Sequence, residues 1–99
     1  MSVYVIANVT ILDQEKYNEY LAAGHGTLEQ YGGKMVVAGL DSKVLEGKPG
    51  PLTAVIEFES MEAAQRWYDS PEYTEARKLR QRPGVSEGWL ITAPQYEMQ

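Results

Sequence analysis

The chain has 99 residues, 43% of them hydrophobic, no cysteine, and nine basic residues against fourteen acidic for a formal charge of −5. That length supports one domain with one modest core, and the acidic balance disfavours nucleic acid and anionic membranes as partners. Without thiols there is neither a disulfide nor thiolate chemistry. The opening stretch MSVYVIANVTILDQ has no basic leader and meets an acid at Asp13, so neither a signal peptide nor a membrane span is expected, and the chain is read as cytoplasmic.

VYVIANVTIL, from Val3 to Leu12, is rich in β-branched residues and apolar on both alternating faces, with Val3, Val5, Val9 and Ile11 on one and Tyr4, Ile6 and Leu12 on the other. This predicts a central strand covered on both sides. Asp13 then caps a helix whose apolar stripe is Tyr17, Tyr20, Leu21, Leu28 and Tyr31, broken at Gly24 and Gly26 around His25. Thr27 with Gln30 resembles a capping box that restarts the helix, and YGG ends it. A second strand is expected from Lys34 to about Glu46, weakened at Gly39, followed by the turn GKPGP and a third strand from Leu52 to Glu59 in an antiparallel hairpin with it. Ser60 caps a helix with the stripe Met61, Ala64, Trp67 and Tyr68. Ser70 and Pro71 open another at the N-cap and first-turn positions, and after RPG the last strand runs from Ser86 to Ala93.

The order strand, helix, strand, strand, helix, strand is the ferredoxin-like βαββαβ arrangement, of the α+β class. A four-stranded antiparallel sheet would carry the helices on one face. Its other face would remain apolar, with Trp89 and Ile91 adding to it, so a homodimer joined sheet to sheet is expected.

YVIANVTILDQEKYNEY, YGGKMVVAG, VIEFES and WYDSPEYTEARKLR together resemble, in order and spacing, the domain of unknown function family numbered 1330, within the dimeric α/β-barrel superfamily. The resemblance spans Val3 to about Thr92. It implies the ferredoxin-like fold and a dimer whose two sheets close into a barrel, and it implies no particular reaction. GHGTLEQ departs from the family pattern, which often has proline there, so His25 is no signature of it.

Several side chains are candidates for chemistry, each beside a plainer structural role. Asn8 interrupts the first strand, where it would orient a substrate carbonyl if it faced a cleft between sheet and helices, or be satisfied by polar neighbours if it did not. Glu57 interrupts the third strand as a general base or as the ion-pair partner of Arg80 or Lys34. His25 is the only histidine; a lone histidine between glycines is more often a loop residue than an acid or base. The aromatic set Tyr17, Tyr20, Tyr31, Trp67, Tyr68 and Tyr73 reads first as core, though buried hydroxyls need partners and would suit a small-molecule pocket.

In SPEYTEARKLR the acids Glu72 and Glu75 lie towards the helix start and the bases Arg77, Lys78, Arg80 and Arg82 towards or just past its end, as the helix dipole favours. Lys78 and Arg82 project away from Ala76, whereas Arg80 falls on the side of Tyr73 and Ala76, so it needs a counter-charge, from Glu57 or a ligand carboxylate. Asn8 and Trp67 also resemble two of the residues used by haem-degrading monooxygenases of the superfamily. The axial histidine of that pattern is missing from the later helix, which disfavours haem. No zinc, calcium or phosphate-loop spacing is present, and no cofactor is expected.

The function expected is therefore the binding of a small aromatic or carboxylate-bearing metabolite between sheet and helices, at Asn8, His25, Tyr31, Glu57, Trp67, Tyr68 and Arg80. The alternatives are a cofactor-independent enzyme of the oxygenase, isomerase or dehydratase type, with Asn8, Glu57 and Arg80 as catalytic candidates, and a structural dimer without ligand.

Overall fold

Alternation in the first strand sets the architecture. In a computed structural model describing residues 1–97, strand β1 (Val3–Ile11) turns Val3, Val5 and Val9 to a helical layer and Tyr4, Ile6 and Asn8 to the opposite side. Helices α1 (Gln14–Gly24) and α2 (Thr27–Gln30) follow, then strands β2 (Lys34–Gly39) and β3 (Leu52–Phe58), helices α3 (Met61–Asp69) and α4 (Pro71–Arg80), and strand β4 (Ser86–Pro94). The four strands form one antiparallel sheet in the order β2-β3-β1-β4, so β1 and β3 are central. This is the expected α+β, ferredoxin-like arrangement. Among the described residues no helix is long and apolar enough to cross a membrane.

The helix starts are set by side-chain caps. Asp13 accepts from the Lys16 amide at 3.1 Å, and Ser60 accepts from the Ala63 amide at 3.1 Å. Ser70 does two jobs, accepting from the Tyr73 amide at 3.1 Å while its hydroxyl donates to the Trp67 carbonyl at 2.7 Å, which welds α4 to the end of α3. Thr27 departs from expectation. Gly26, at φ 81, occupies the cap position instead, and the Thr27 hydroxyl reaches back to the Gly24 carbonyl at 2.8 Å. A left-handed residue was needed to turn the chain between α1 and α2, and glycine adopts it without strain.

Between sheet and helices, Val5, Ile56 and Phe58 pack with Ala63, Ala64, Trp67, Tyr73 and Ala76, while Val9 packs with Tyr17 and Val85. The helix α1 lies along α4. The second strand is shorter than expected, ending at Gly39 rather than near Glu46, because its register with β3 closes at Gly39↔Thr53 and residues 40–51 leave the sheet as a loop. That loop exposes Leu40, Val44 and Leu45. Alternation in the sequence could not mark this end, since the apolar residues Leu40, Val44 and Leu45 continue past it.

The outer sheet face carries Tyr4, Ile6 and Val55, with Val37, Trp89 and Ile91 each about half exposed. At Gly88, φ is 145 and any Cβ would collide with the Asn8 carbonyl oxygen, so only glycine lets β4 approach β1 this closely.

Candidate functional site

Above the inner sheet face, α1 and α2 diverge from β2 and β3 and leave a cavity of about 350 Å³. Ala7, Val9, Leu52, Ala54, Ile56 and Leu90 form its sheet wall. Tyr17, Tyr20, Trp67, Tyr73 and Arg80 close it from the helical side, and exposed Leu21, Gly26, Glu29 and Met35 mark its mouth. The volume falls at the lower end of the range for small-molecule sites, and the lining is apolar with few polar groups, the usual make-up of such a site.

Those polar groups converge on the helical wall. The Tyr20 and Tyr73 hydroxyls lie 2.9 Å apart across the contact between α1 and α4. The Arg80 guanidinium stands 5.6 Å from the centroid of the Tyr20 ring, and its Nε is buried with no hydrogen-bond partner among the described residues. Burial opposes the Arg80 charge, but the Tyr73 and Tyr20 phenols and Tyr68 more than offset it, so its pKa moves up from the ordinary arginine value and the cation persists. Burial, reinforced by Tyr73, pushes the Tyr20 phenol well above its ordinary range, while Arg80 pulls the other way. Tyr17 is raised as well, again by burial first. Both phenols therefore stay protonated donors near neutral pH.

A raised phenol pKa contributes stability that is complete below the unfolded value of 10.0 and is lost as pH rises beyond it. Urea midpoints are expected to fall on titrating upward from that value, with Tyr20 supplying up to about 1.4 kcal/mol per pH unit. Tyr20→Phe should flatten that decline; an equally steep decline in the variant would reject this assignment.

Of the seven residues predicted for the site, Trp67, His25 and Arg80 line the cavity. His25, at the C-cap of α1, is exposed in the turn before α2, as a loop residue would be, and contributes to the cavity at its mouth. Trp67 is 3% exposed, its ring centroid 4.0 Å from that of Tyr73, and its indole N–H donates to the Thr27 hydroxyl at 3.1 Å.

The other four lie elsewhere. Asn8 belongs to the outer face, where its side-chain oxygen accepts from the Gly50 amide at 2.8 Å and its NH2 donates to the Gly50 carbonyl at 3.1 Å. The amide is thus spent on pinning the loop before β3, and it faces no cleft between sheet and helices. Glu57 shares that outer face, paired across strands with Tyr4 and Lys34, and accepts from the Ser2 hydroxyl at 2.5 Å. The sheet stands between it and Arg80, which rules out their ion pair. Tyr31 is outside the cavity and donates to Glu72 at 2.8 Å, tying α2 to α4, and that bond to the carboxylate raises its pKa. Tyr68 packs beside Trp67 and beneath Arg77, whose Cζ is 4.3 Å from its ring centroid. Asn8 and Trp67, the two haem-like positions, sit on opposite faces of the sheet and form no common pocket.

Residues 2–93 match the model of DUF1330, a domain of unknown function. The chain belongs to the DUF1330 family. No curated protein matches it. Among solved structures, a protein of unknown function from Rhodopseudomonas palustris is similar over 98% of this chain and 84% of its own, with TM-score 0.78 and 23% identity. A dimeric ferredoxin-like protein of unknown function from Thermobifida fusca matches at TM-score 0.63 and 10% identity, over 96% and 92% of the two chains. SnoaB, a cofactor-independent oxygenase from Streptomyces nogalater, matches at TM-score 0.67 and 10% identity, over 98% and 95%. At these identities the likeness establishes the fold of this DUF1330 domain and leaves its chemistry to its own residues.

Proposed function

We propose that this DUF1330 domain binds a small aromatic metabolite carrying a carboxylate, seated in the cavity between sheet and helices with its anionic end on Arg80. The observation that carries this reading is the cation itself: a partly buried guanidinium lining the cavity beside phenol hydroxyls, with no carboxylate paired to it among the described residues. Glu29, the acid at the mouth, is exposed and makes no ion pair with Arg80 among the described residues. A ligand carboxylate meeting this guanidinium would form a charge-assisted hydrogen bond, about twice as strong as a neutral one. Trp67, Ile56 and Leu90 supply the apolar walls for a ring. A thermal-shift series with benzoate, phenylacetate and their neutral amides tests it: the acids should raise the melting temperature with concentration and the amides should not. Equal responses, or none, refute the reading.

The same reading includes a homodimer joined through the outer sheet faces. Val37, Trp89 and Ile91 expose a contiguous apolar surface beside Tyr4, Ile6 and Val55, and a similar fold is dimeric in the Thermobifida fusca protein. Light scattering on a size-exclusion column should give twice the 11.1 kDa chain mass. A stable monomer at low micromolar concentration would end this part of the proposal.

A further inference from the structure

The cavity joins an unspent base at its exposed mouth to polar groups on its floor. In the Tyr20–Tyr73 pair one hydroxyl proton lies between the two oxygens, and the other remains free to donate. Arg80 also lines the cavity, and its charged guanidinium adds to the donors available there. The lining also includes His25, whose ring has no hydrogen-bond partner among the described residues and whose backbone is held between the end of α1 and the left-handed Gly26. Donors fixed where negative charge develops, in an apolar site, are the arrangement that stabilises an oxyanion, and imidazole is suited to take and return a proton near neutral pH.

We propose that the cavity is a proton-transfer site acting on a small aromatic α-keto acid, with His25 as the base and Arg80 and the Tyr20–Tyr73 pair as the oxyanion donors. This rests on the binding reading above. In the step, an imidazole nitrogen of His25 takes the proton from the carbon beside the ketone. The C–H electron pair becomes the new C=C bond, and the carbonyl π pair moves onto oxygen, where Arg80 and the phenol hold the enolate. Returning the proton to that carbon or to the enolate oxygen completes an exchange or a tautomerisation. Atoms and electrons balance with no oxidant, reductant or metal.

Two probes separate binding from chemistry. Benzoylformate is an aromatic α-keto acid with no hydrogen beside its ketone, so its thermal shift reads binding alone. Phenylpyruvate has an acidic methylene, whose loss of proton signal in deuterated water reads the transfer. The wild-type protein is expected to bind benzoylformate and to speed methylene exchange about a hundredfold or more over buffer. His25→Gln and His25→Asn should keep the benzoylformate shift and lose the acceleration, and Arg80→Met should lose both. Binding of benzoylformate with exchange at the buffer rate overturns the proton-transfer proposal and leaves the binding reading standing. Exchange in both His25 variants as fast as wild type overturns the role of His25. No benzoylformate shift in the wild type overturns the binding reading, and this proposal with it.

Discussion

Replacing Trp67 with alanine is expected to lower folding stability by about 3–5 kcal/mol, the range for deleting a buried indole from a core. Three losses combine. The ring leaves its stack on Tyr73 at 4.0 Å and its packing on Phe58 at 5.7 Å, and such aromatic contacts add to the burial of apolar area. The Thr27 hydroxyl loses its donor, which had held the start of α2 against the end of α3. A void then opens beside a cavity that already exists, so the surrounding helices have little to collapse onto. Against a total stability of roughly 5–15 kcal/mol for a domain, this is enough to leave the chain marginal. Chemical denaturation at fixed chain concentration, needed because a dimer's midpoint shifts with concentration, measures it. Trp67→Phe should retain most of the packing and lose mainly the indole hydrogen bond, about 1 kcal/mol. If alanine and phenylalanine are equally damaging, the hydrogen bond to Thr27 rather than the packing dominates.

Alternation and capping residues made the element order legible, because each strand carries its own apolar run and Asp13, Ser60 and Ser70 announce three helices. What they could not decide was which face of the first strand the helices would cover. Val5 and Ile6 are equally apolar, so period two sets Asn8 with Ile6 and Glu57 with Val55 without saying whether either set faces the helices, and only the register of β1 with β3 puts the two on one face. Packing decided it: the Val5 side meets Trp67 and Tyr73, which sends Asn8 to the loop at Gly50 and Glu57 to Ser2. Helical periodicity did place Arg80 with Tyr73 and Ala76, and both Arg80 and Tyr73 line the cavity. The Tyr20–Tyr73 contact was out of reach, since each tyrosine read only as part of its own stripe and the pair forms across 53 positions of sequence when α1 docks on α4. His25 is the opposite case. It belongs to no stripe, and only the turn at Gly26 brings it to the cavity.

Arg80→Met should separate what holds the fold from what holds a ligand. Methionine keeps much of the apolar stem and removes the guanidinium, and with it a buried Nε–H that has no acceptor in the ligand-free chain. The stability lost is then the cation–π contact with Tyr20, at 5.6 Å, about 0.5–1 kcal/mol, offset by relief of the unpartnered donor. A carboxylate ligand, by contrast, loses a hydrogen bond to a charged group worth about 1.5–3 kcal/mol, which is roughly a tenfold to hundredfold weaker dissociation constant. Calorimetric titration of benzoate into both proteins, beside their melting temperatures, reads the two effects on one pair of samples. The expected pattern is a large change in affinity with little change in melting. The reverse pattern, a lower melting temperature with an undiminished response to carboxylates, would make Arg80 a structural cation held by its tyrosines. Because Glu57 lies across the sheet, no acid there remains to share the role, so the outcome turns on whether a ligand's carboxylate completes Arg80 or its ring of phenols already does.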